Sequence, residues 1–118
     1  MEAMGRMGRK GFIGEFEQVV LLAILQLEEE AYAPEISRKL EGDAGRPVSR
    51  GSLYSTLDRL ERKGLLEWRI EASSADRDGH QKRRFSVTGE GISALRASRE
   101  MLLTLWEGLD EVLEGPSS

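Results

Sequence analysis

Cysteine is absent from the 118-residue chain, and histidine occurs only once, at His80. Without cysteine the chain has no disulfide bridges and no thiolate metal sites. A single histidine between Gly79 and Gln81 cannot hold a metal, and nothing beside it in sequence would activate it as a catalyst. The carboxylates are numerous but scattered along polar stretches. We therefore predict a protein that is not an enzyme and uses no metal or other cofactor.

Long apolar runs are also lacking. The longest, from Val19 to Leu25, is too short to cross a bilayer. The N-terminal stretch is basic, but no signal-peptide apolar core follows it. Hydrophobic residues make up 39% of the chain and charged residues 32%, which is typical of a helix-rich globular protein, and the length suits one domain. We expect a cytoplasmic protein with no membrane partner.

The net charge of −4 is unevenly distributed along the chain. Residues 15–45 have a net charge of −6 and residues 85–118 a net charge of −4, whereas residues 46–84 carry ten basic and six acidic side chains. Positive charge gathered in one segment favours contact with phosphates. The alternative interpretation is that these charges only solvate the surfaces of helices.

Three helices are predicted in the first half of the chain. From Glu15, apolar residues recur at intervals of three and four, as expected for an inward helical face. This face comprises Phe16, Val19, Val20, Ala23, Ile24 and Leu27. Pro34 begins a second helix, which the segment from Gly42 to Pro47 breaks. A third helix runs from its N-cap Ser49 to about Lys63, followed by Gly64 in the left-handed conformation.

A β-hairpin is predicted after the third helix. Leu66, Trp68 and Ile70 alternate with charged residues, which indicates a half-buried strand, with Trp68 in the core. Phe85 and Val87 would point inward from the returning strand. The polar segment between the strands is expected to form a long, flexible wing tip.

A last helix is predicted from the N-cap Thr88 to about Leu113. At 1.5 Å per residue its roughly 26 residues would span about 39 Å, more than the small core can cover. We expect its far end to pack on a second copy of the chain, through a coiled-coil-like seam. The predicted dimerisation residues are Leu95, Leu102, Leu105, Trp106, Leu109 and Leu113. Trp106 has a second interpretation, as the wall of a ligand pocket between subunits.

The third helix combines a leucine stripe (Leu53, Leu57, Leu60) with short hydroxyl and basic side chains elsewhere. Hydroxyls and guanidinium groups are suited to reading base edges and holding phosphates. The predicted DNA-binding residues are Ser49, Arg50, Ser52, Tyr54, Ser55, Thr56 and Arg59 on this helix and Lys82, Arg83 and Arg84 on the hairpin. The competing interpretation is that these are ordinary polar positions on a surface helix.

The segment GSLYSTLDRLERKGLLE resembles the PadR-like transcriptional regulators, which typically carry a G-x-L-Y motif followed by R-L-E-x-x-G-L. Here these are Gly51, Leu53 and Tyr54, and then the run from Arg59 to Leu65. The segments RRFSVTGEG and EFEQVVLLAIL also resemble the family, so the likeness covers residues 14–96. It implies a homodimeric winged-helix repressor of the smaller subfamily that binds a palindromic operator. In the family, small molecules can relieve repression.

The expected fold is mainly α with a small β-hairpin wing (α+β), a winged helix-turn-helix with a long C-terminal dimerisation helix. We divide the chain into a flexible arm (1–14), a DNA-binding domain (15–88), the dimerisation helix (89–114) and a disordered tail (115–118). The predicted partners are double-stranded DNA, a second copy and, as an open question, a small aromatic or apolar effector. The alternative function is a ligand-sensing or protein-interaction module that does not contact DNA.

Overall fold

The computed structural model describes residues 13–72 and 81–115. The helices are α1 (Glu15–Leu27), a 3-10 turn (Glu28–Glu30), α2 (Ala33–Ala44), α3 (Arg50–Arg62), α4 (Gly89–Trp106) and α5 (Asp110–Glu114). Strands β1 (Leu66–Ala72) and β2 (Gln81–Val87) lie between α3 and α4. They form a two-stranded antiparallel sheet. This mainly helical fold with a hairpin wing confirms the predicted fold class.

The core is formed by the apolar faces of α1, α2 and α3, closed by the base of the hairpin and the start of α4. Its most deeply buried side chains are Val20, Leu21, Ile24, Ile36, Leu40, Leu57, Leu60, Leu65 and Leu66. Phe16, Val19 and Leu27 pack against its edge. The inward face predicted for α1 is thus confirmed, with Leu21 as an additional member. Leu22 and Leu25 remain exposed on the same helix.

The ends of α2 and α3 follow from local chemistry. Pro34 lies in the first turn of α2, as predicted, but the helix continues past Gly42 to Ala44. It ends where Gly45 adopts a left-handed φ of 62°. The side chain of Ser49 caps α3 by accepting a hydrogen bond from the Ser52 amide at 3.1 Å. These contacts fix the direction in which α3 leaves the loop.

The hairpin is longer than predicted, because the wing tip was expected over residues 72–82, whereas Ala72 belongs to β1 and Gln81 and Lys82 belong to β2. Its register pairs Leu66 with Val87 and continues to the pair of Ala72 and Gln81. The Phe85 amide donates to the Ala31 carbonyl at 2.9 Å, which anchors β2 to the segment before α2. One expectation for β1 needs correction, since Ile70 is 50% exposed, whereas Trp68 is partly buried and packs against the core. A two-stranded wing extends beyond the core, so its outer residues have nothing to pack against. The remaining part of the predicted wing tip, residues 73–80, lies outside the described residues.

The C-terminal helix is interrupted. Thr88 caps α4 as predicted, accepting from the Gly91 amide at 3.0 Å. The helix ends at Trp106, however, and a turn with Gly108 at a φ of 79° precedes the short α5. This corrects the expectation of one helix to Leu113, because a left-handed residue cannot continue a right-handed helix. Within the described parts of the chain, no helix is long and apolar enough to span a bilayer.

Candidate nucleic-acid interface

The outward face of α3 is a stripe of four exposed residues spaced four, three and four apart. They are Gly51, Ser55, Asp58 and Arg62. This spacing places them on one side of the helix, opposite the buried leucines. Ser52, also exposed, lies at the edge of this face. Arg62 was not among the predicted DNA-binding residues. It lies seven residues, or about two helical turns, after Ser55, and this spacing in the sequence already places both on the same face of the helix.

Thr56 is not part of this face. Its side chain is 3% exposed, and its hydroxyl donates to the Ser52 carbonyl at 2.9 Å. Leu53 and Leu60 lie three residues before and four residues after it, which places Thr56 within the leucine stripe. We therefore correct the prediction that placed Thr56 near the bases and assign it to the helix–core boundary.

Arg59 is held by a buried carboxylate that the sequence analysis missed. Its Nε donates to Glu17 Oε2 at 3.0 Å, and its Nη2 donates to the Thr56 hydroxyl at 3.3 Å. Lys63 and the Gly14 amide also donate to Glu17, at 2.9 Å each. Burial opposes ionisation of Glu17, but these hydrogen bonds outweigh it and lower the pKa of the carboxyl. The guanidinium of Arg59 is thus oriented, while the side chain remains about half exposed.

Tyr54 separates two open depressions beside the outward face of α3. The first, about 300 Å³ in volume, lies between α2 and α3 and includes Arg38 and Arg50 in its lining. The second, about 580 Å³, lies between α3 and the wing and includes Lys82 and Arg83. Ala33 and Pro34, at the N-terminus of α2, line both. The predicted residues Arg50, Tyr54, Lys82 and Arg83 are therefore brought together around α3.

The basic residues of β2 have different environments. The Arg83 guanidinium lies 4.5 Å from the centroid of the Trp68 ring, and its side chain is exposed, which leaves the cation accessible. Arg84 instead forms an ion pair with Glu71 across the hairpin. The hydrogen bond to Glu71 raises the pKa of Arg84. This ion pair engages the Arg84 side chain within the wing, so Arg83 is the more accessible of the two cations, and phosphate binding by Arg84 stays a prediction.

The C-terminal part of the chain exposes a large apolar surface. Of the predicted dimerisation residues, Leu102, Leu105, Trp106, Leu109 and Leu113 are each at least 39% exposed. Leu95 is only 8% exposed and belongs to the chain's own core, so it is removed from that set. Met101, Leu103 and Val112 extend the exposed surface. No cluster of metal-ligating side chains occurs among residues 13–72 and 81–115.

Comparison with known families gives a match over most of this fold. The sequence profile of the transcriptional regulator PadR-like family matches residues 21–97, which include α2, α3, the hairpin and most of α1. The comparison with curated proteins gave no match. The proteins found are transcriptional regulators rather than enzymes, in agreement with the prediction from the sequence.

Several solved structures are similar to this chain. A PadR-like transcription factor from Bacteroides fragilis is 28% identical with a TM-score of 0.65, and the match covers 94% of this chain and 96% of that one. A PadR-like transcriptional regulator from Bacillus cereus is 29% identical with a TM-score of 0.69, covering 86% and 93%. A complex structure of RosR from H. salinarum is 30% identical with a TM-score of 0.59, covering 81% and 76%.

Proposed function

The chain belongs to the PadR-like family of DNA-binding transcriptional regulators, and on that premise we propose that it is a cytoplasmic, homodimeric repressor of a palindromic operator. The observation that carries the proposal is the exposed face of α3, with a cation-lined depression on each side of Tyr54. The centre of this face carries the hydroxyl of Ser55 and the carboxylate of Asp58, and cations lie at both flanks. A carboxylate can accept a hydrogen bond from cytosine, and the flanking cations suit a surface that enters a groove between two phosphate backbones.

In this proposal α3 lies in the major groove. Ser52, Ser55 and Arg62 are the residues placed to contact base edges. Arg50 on one side and Lys82 and Arg83 on the other hold phosphates, and the cap Ser49 keeps its hydroxyl proton available as a donor. Arg59 reaches a phosphate with those N–H groups that Glu17 and Thr56 do not use.

The dimer is proposed from the exposed apolar residues of α4 and α5. Large apolar side chains exposed together in this number usually mark an interface. A two-fold dimer presents two α3 helices in opposite directions, which requires a palindromic site with half-sites about one helical turn, roughly 34 Å, apart. Repression follows when such a site overlaps a promoter.

The test is fluorescence anisotropy with a duplex that the wild-type protein selects from a random-sequence pool, measured across a salt series. Replacing Arg50 and Arg83 together with alanine should weaken binding at least tenfold and flatten the salt dependence, because two phosphate contacts are removed. The matched control is Arg96→Ala, on the exposed surface of α4, which should bind like the wild type. Failure to select any duplex would favour a protein-interaction module and refute the proposal.

A small apolar effector is a second candidate partner, because Trp106 is 45% exposed within the apolar surface. A planar aromatic compound stacked on Trp106 at the subunit interface would loosen the dimer and release the operator. The chain has only two tryptophans, so quenching of fluorescence by such compounds is readily assigned. Quenching should disappear in Trp106→Ala and persist in Trp68→Phe. Quenching that is lost only with Trp68 would contradict an effector site at Trp106.

A further inference from the structure

Gly51 lacks a side chain in the outward face of α3, although no residue in the described parts of the chain requires a glycine there. A β-carbon built on Gly51 would have no heavy atom of the described residues within 4 Å, apart from its chain neighbours and the adjacent helix backbone. By contrast, a β-carbon on Gly91 would lie 2.3 Å from the Leu65 carbonyl oxygen. Packing therefore explains the glycine at position 91 and does not explain the one at position 51.

Backbone conformation does not explain Gly51 either. The described glycines with positive φ are Gly45, Gly64, Gly108 and Gly115. Gly51 lies in the first turn of α3 with ordinary helical geometry. Glycine destabilises a helix interior by roughly 0.5–1 kcal/mol relative to alanine, because it loses more conformational freedom on folding. Alanine at this position is thus compatible with the fold and would favour the helix.

The surroundings of Gly51 indicate what its missing side chain accommodates. Ser55, one turn further along the same face, is also small, whereas Asp58 and Arg62 beyond it are longer. Arg50, immediately before Gly51, lines the first cationic depression. The N-terminal half of α3 therefore presents a smooth surface beside a phosphate-binding cation, and glycine is the residue that allows a backbone to approach a ligand closely.

Building on the proposed function, we propose that Gly51 is the point of closest approach between α3 and the operator and that it helps to determine specificity. The absent side chain lets the helix backbone lie against a base edge in the major groove. Any side chain at this position would hold the N-terminal half of α3 away from the bases. Contacts from Ser52 and Ser55 would then be lost together.

Gly42 provides a matched control. It also lies in a terminal turn of a helix, is exposed, has no positive φ, and has no atom within 4 Å of a built β-carbon. Its neighbours Glu41 and Asp43 are exposed acidic residues, which are unsuited to a phosphate surface. Substituting alanine or leucine for Gly42 therefore changes helix propensity in the same way as at position 51. Position 42, however, is not predicted to contact DNA.

The experiment compares Gly51→Ala, Gly51→Leu, Gly42→Ala and Gly42→Leu with the wild type, using the duplex selected by the wild-type protein. Gly51→Ala should bind at least tenfold more weakly, and Gly51→Leu more weakly still. Both Gly42 variants should bind within about twofold of the wild type. In thermal unfolding, Gly51→Ala should melt at or above the wild-type temperature, as Gly42→Ala should.

Three results would overturn the inference while leaving the proposed function intact. The first is wild-type affinity in both Gly51 variants. The second is a melting temperature of Gly51→Ala well below that of Gly42→Ala, which would reveal a requirement for glycine within the fold. The third is a change in sedimentation mass, which would place Gly51 at an interface between copies. A wild-type protein that selects no duplex would instead refute DNA binding itself.

Discussion

The amine of Lys63 lies 2.9 Å from both carboxylate oxygens of Glu17, and this contact joins the first turn of α1 to the residue after α3. The carboxylate side chain is only 7% exposed, whereas Lys63 is 33% exposed. Since Arg59 and the Gly14 amide share the same carboxylate, one buried anion fixes the C-terminal half of α3 against α1. Glu17 thereby positions the helix that we assign to the operator.

Replacing Glu17 with glutamine should lower the free energy of unfolding by about 1–3 kcal/mol, because charge-assisted hydrogen bonds are lost while the side-chain size is kept. Glu15→Gln is the matched control from the same helical turn. Glu15 also pairs with an arginine, Arg46, but its side chain is 74% exposed, so the expected loss is below about 1 kcal/mol. Urea unfolding of both variants measures the difference. Equal losses would contradict a special role for the buried carboxylate.

The same carboxylate predicts how stability depends on pH. The pKa of Glu17 is lower in the folded chain than its ordinary value of 4.5. Its ionised form therefore stabilises the fold above about pH 4.5, and this contribution is lost as the pH falls through the folded-state pKa. The difference in stability between the wild type and Glu17→Gln should be constant near neutral pH and should narrow below about pH 4.5. A difference that does not change with pH down to 3 would contradict this assignment.

Features that depend on neighbouring residues were predictable from the sequence. The caps Ser49 and Thr88 and the left-handed Gly64 each require only a few residues of context. The break before α5 was equally local, because Gly108 marks it, but the recurrence of Leu95, Leu102 and Leu109 every seven residues favoured one continuous helix. Thr56 was also placed wrongly although its spacing from Leu53 and Leu60 locates it on the buried stripe. For both the break at Gly108 and the burial of Thr56, the neighbouring residues gave the correct answer, but a different sequence pattern was followed in the prediction.

The contacts of Glu17 could not be predicted in this way. Lys63 is 46 residues away in sequence, and no periodicity links a carboxylate in α1 to a cation after α3. The sequence likewise gave no reason to separate Arg83 from Arg84, which are adjacent. Only the hairpin register, which brings Glu71 near Arg84, pairs one of them with a carboxylate and leaves the other more accessible.

A close contact at the start of α4 predicts that alanine substitutions at two neighbouring glycines, Gly91 and Gly89, have very different effects on stability. A β-carbon on Gly91 would lie 2.3 Å from the carbonyl oxygen of Leu65, which precedes β1, and 2.6 Å from Cγ1 of Val87, the last residue of β2. Gly91→Ala should therefore destabilise the fold by about 1–3 kcal/mol, as overpacking does. Gly89→Ala, two residues earlier and with no atom within 4 Å, should unfold like the wild type. Similar melting temperatures for the two variants would show that α4 can move away from Leu65 at little cost.

The exposed apolar residues of α4 and α5 predict that a charge introduced among them disrupts dimerisation and operator binding together. Leu105 is 66% exposed, so Leu105→Asp removes little surface that is buried within one chain and should leave the monomer folded. Burying a carboxylate in an apolar interface is costly, so this variant should sediment as a monomer at micromolar concentrations at which the wild type is expected to be a dimer. The control Ser93→Asp adds the same charge to an exposed position of α4 and should remain dimeric. The monomer loses the second half-site, so its affinity for the full palindrome should fall to that of an isolated half-site. A dimeric Leu105→Asp protein, or a monomer with full affinity, would show that this surface does not pair the two α3 helices.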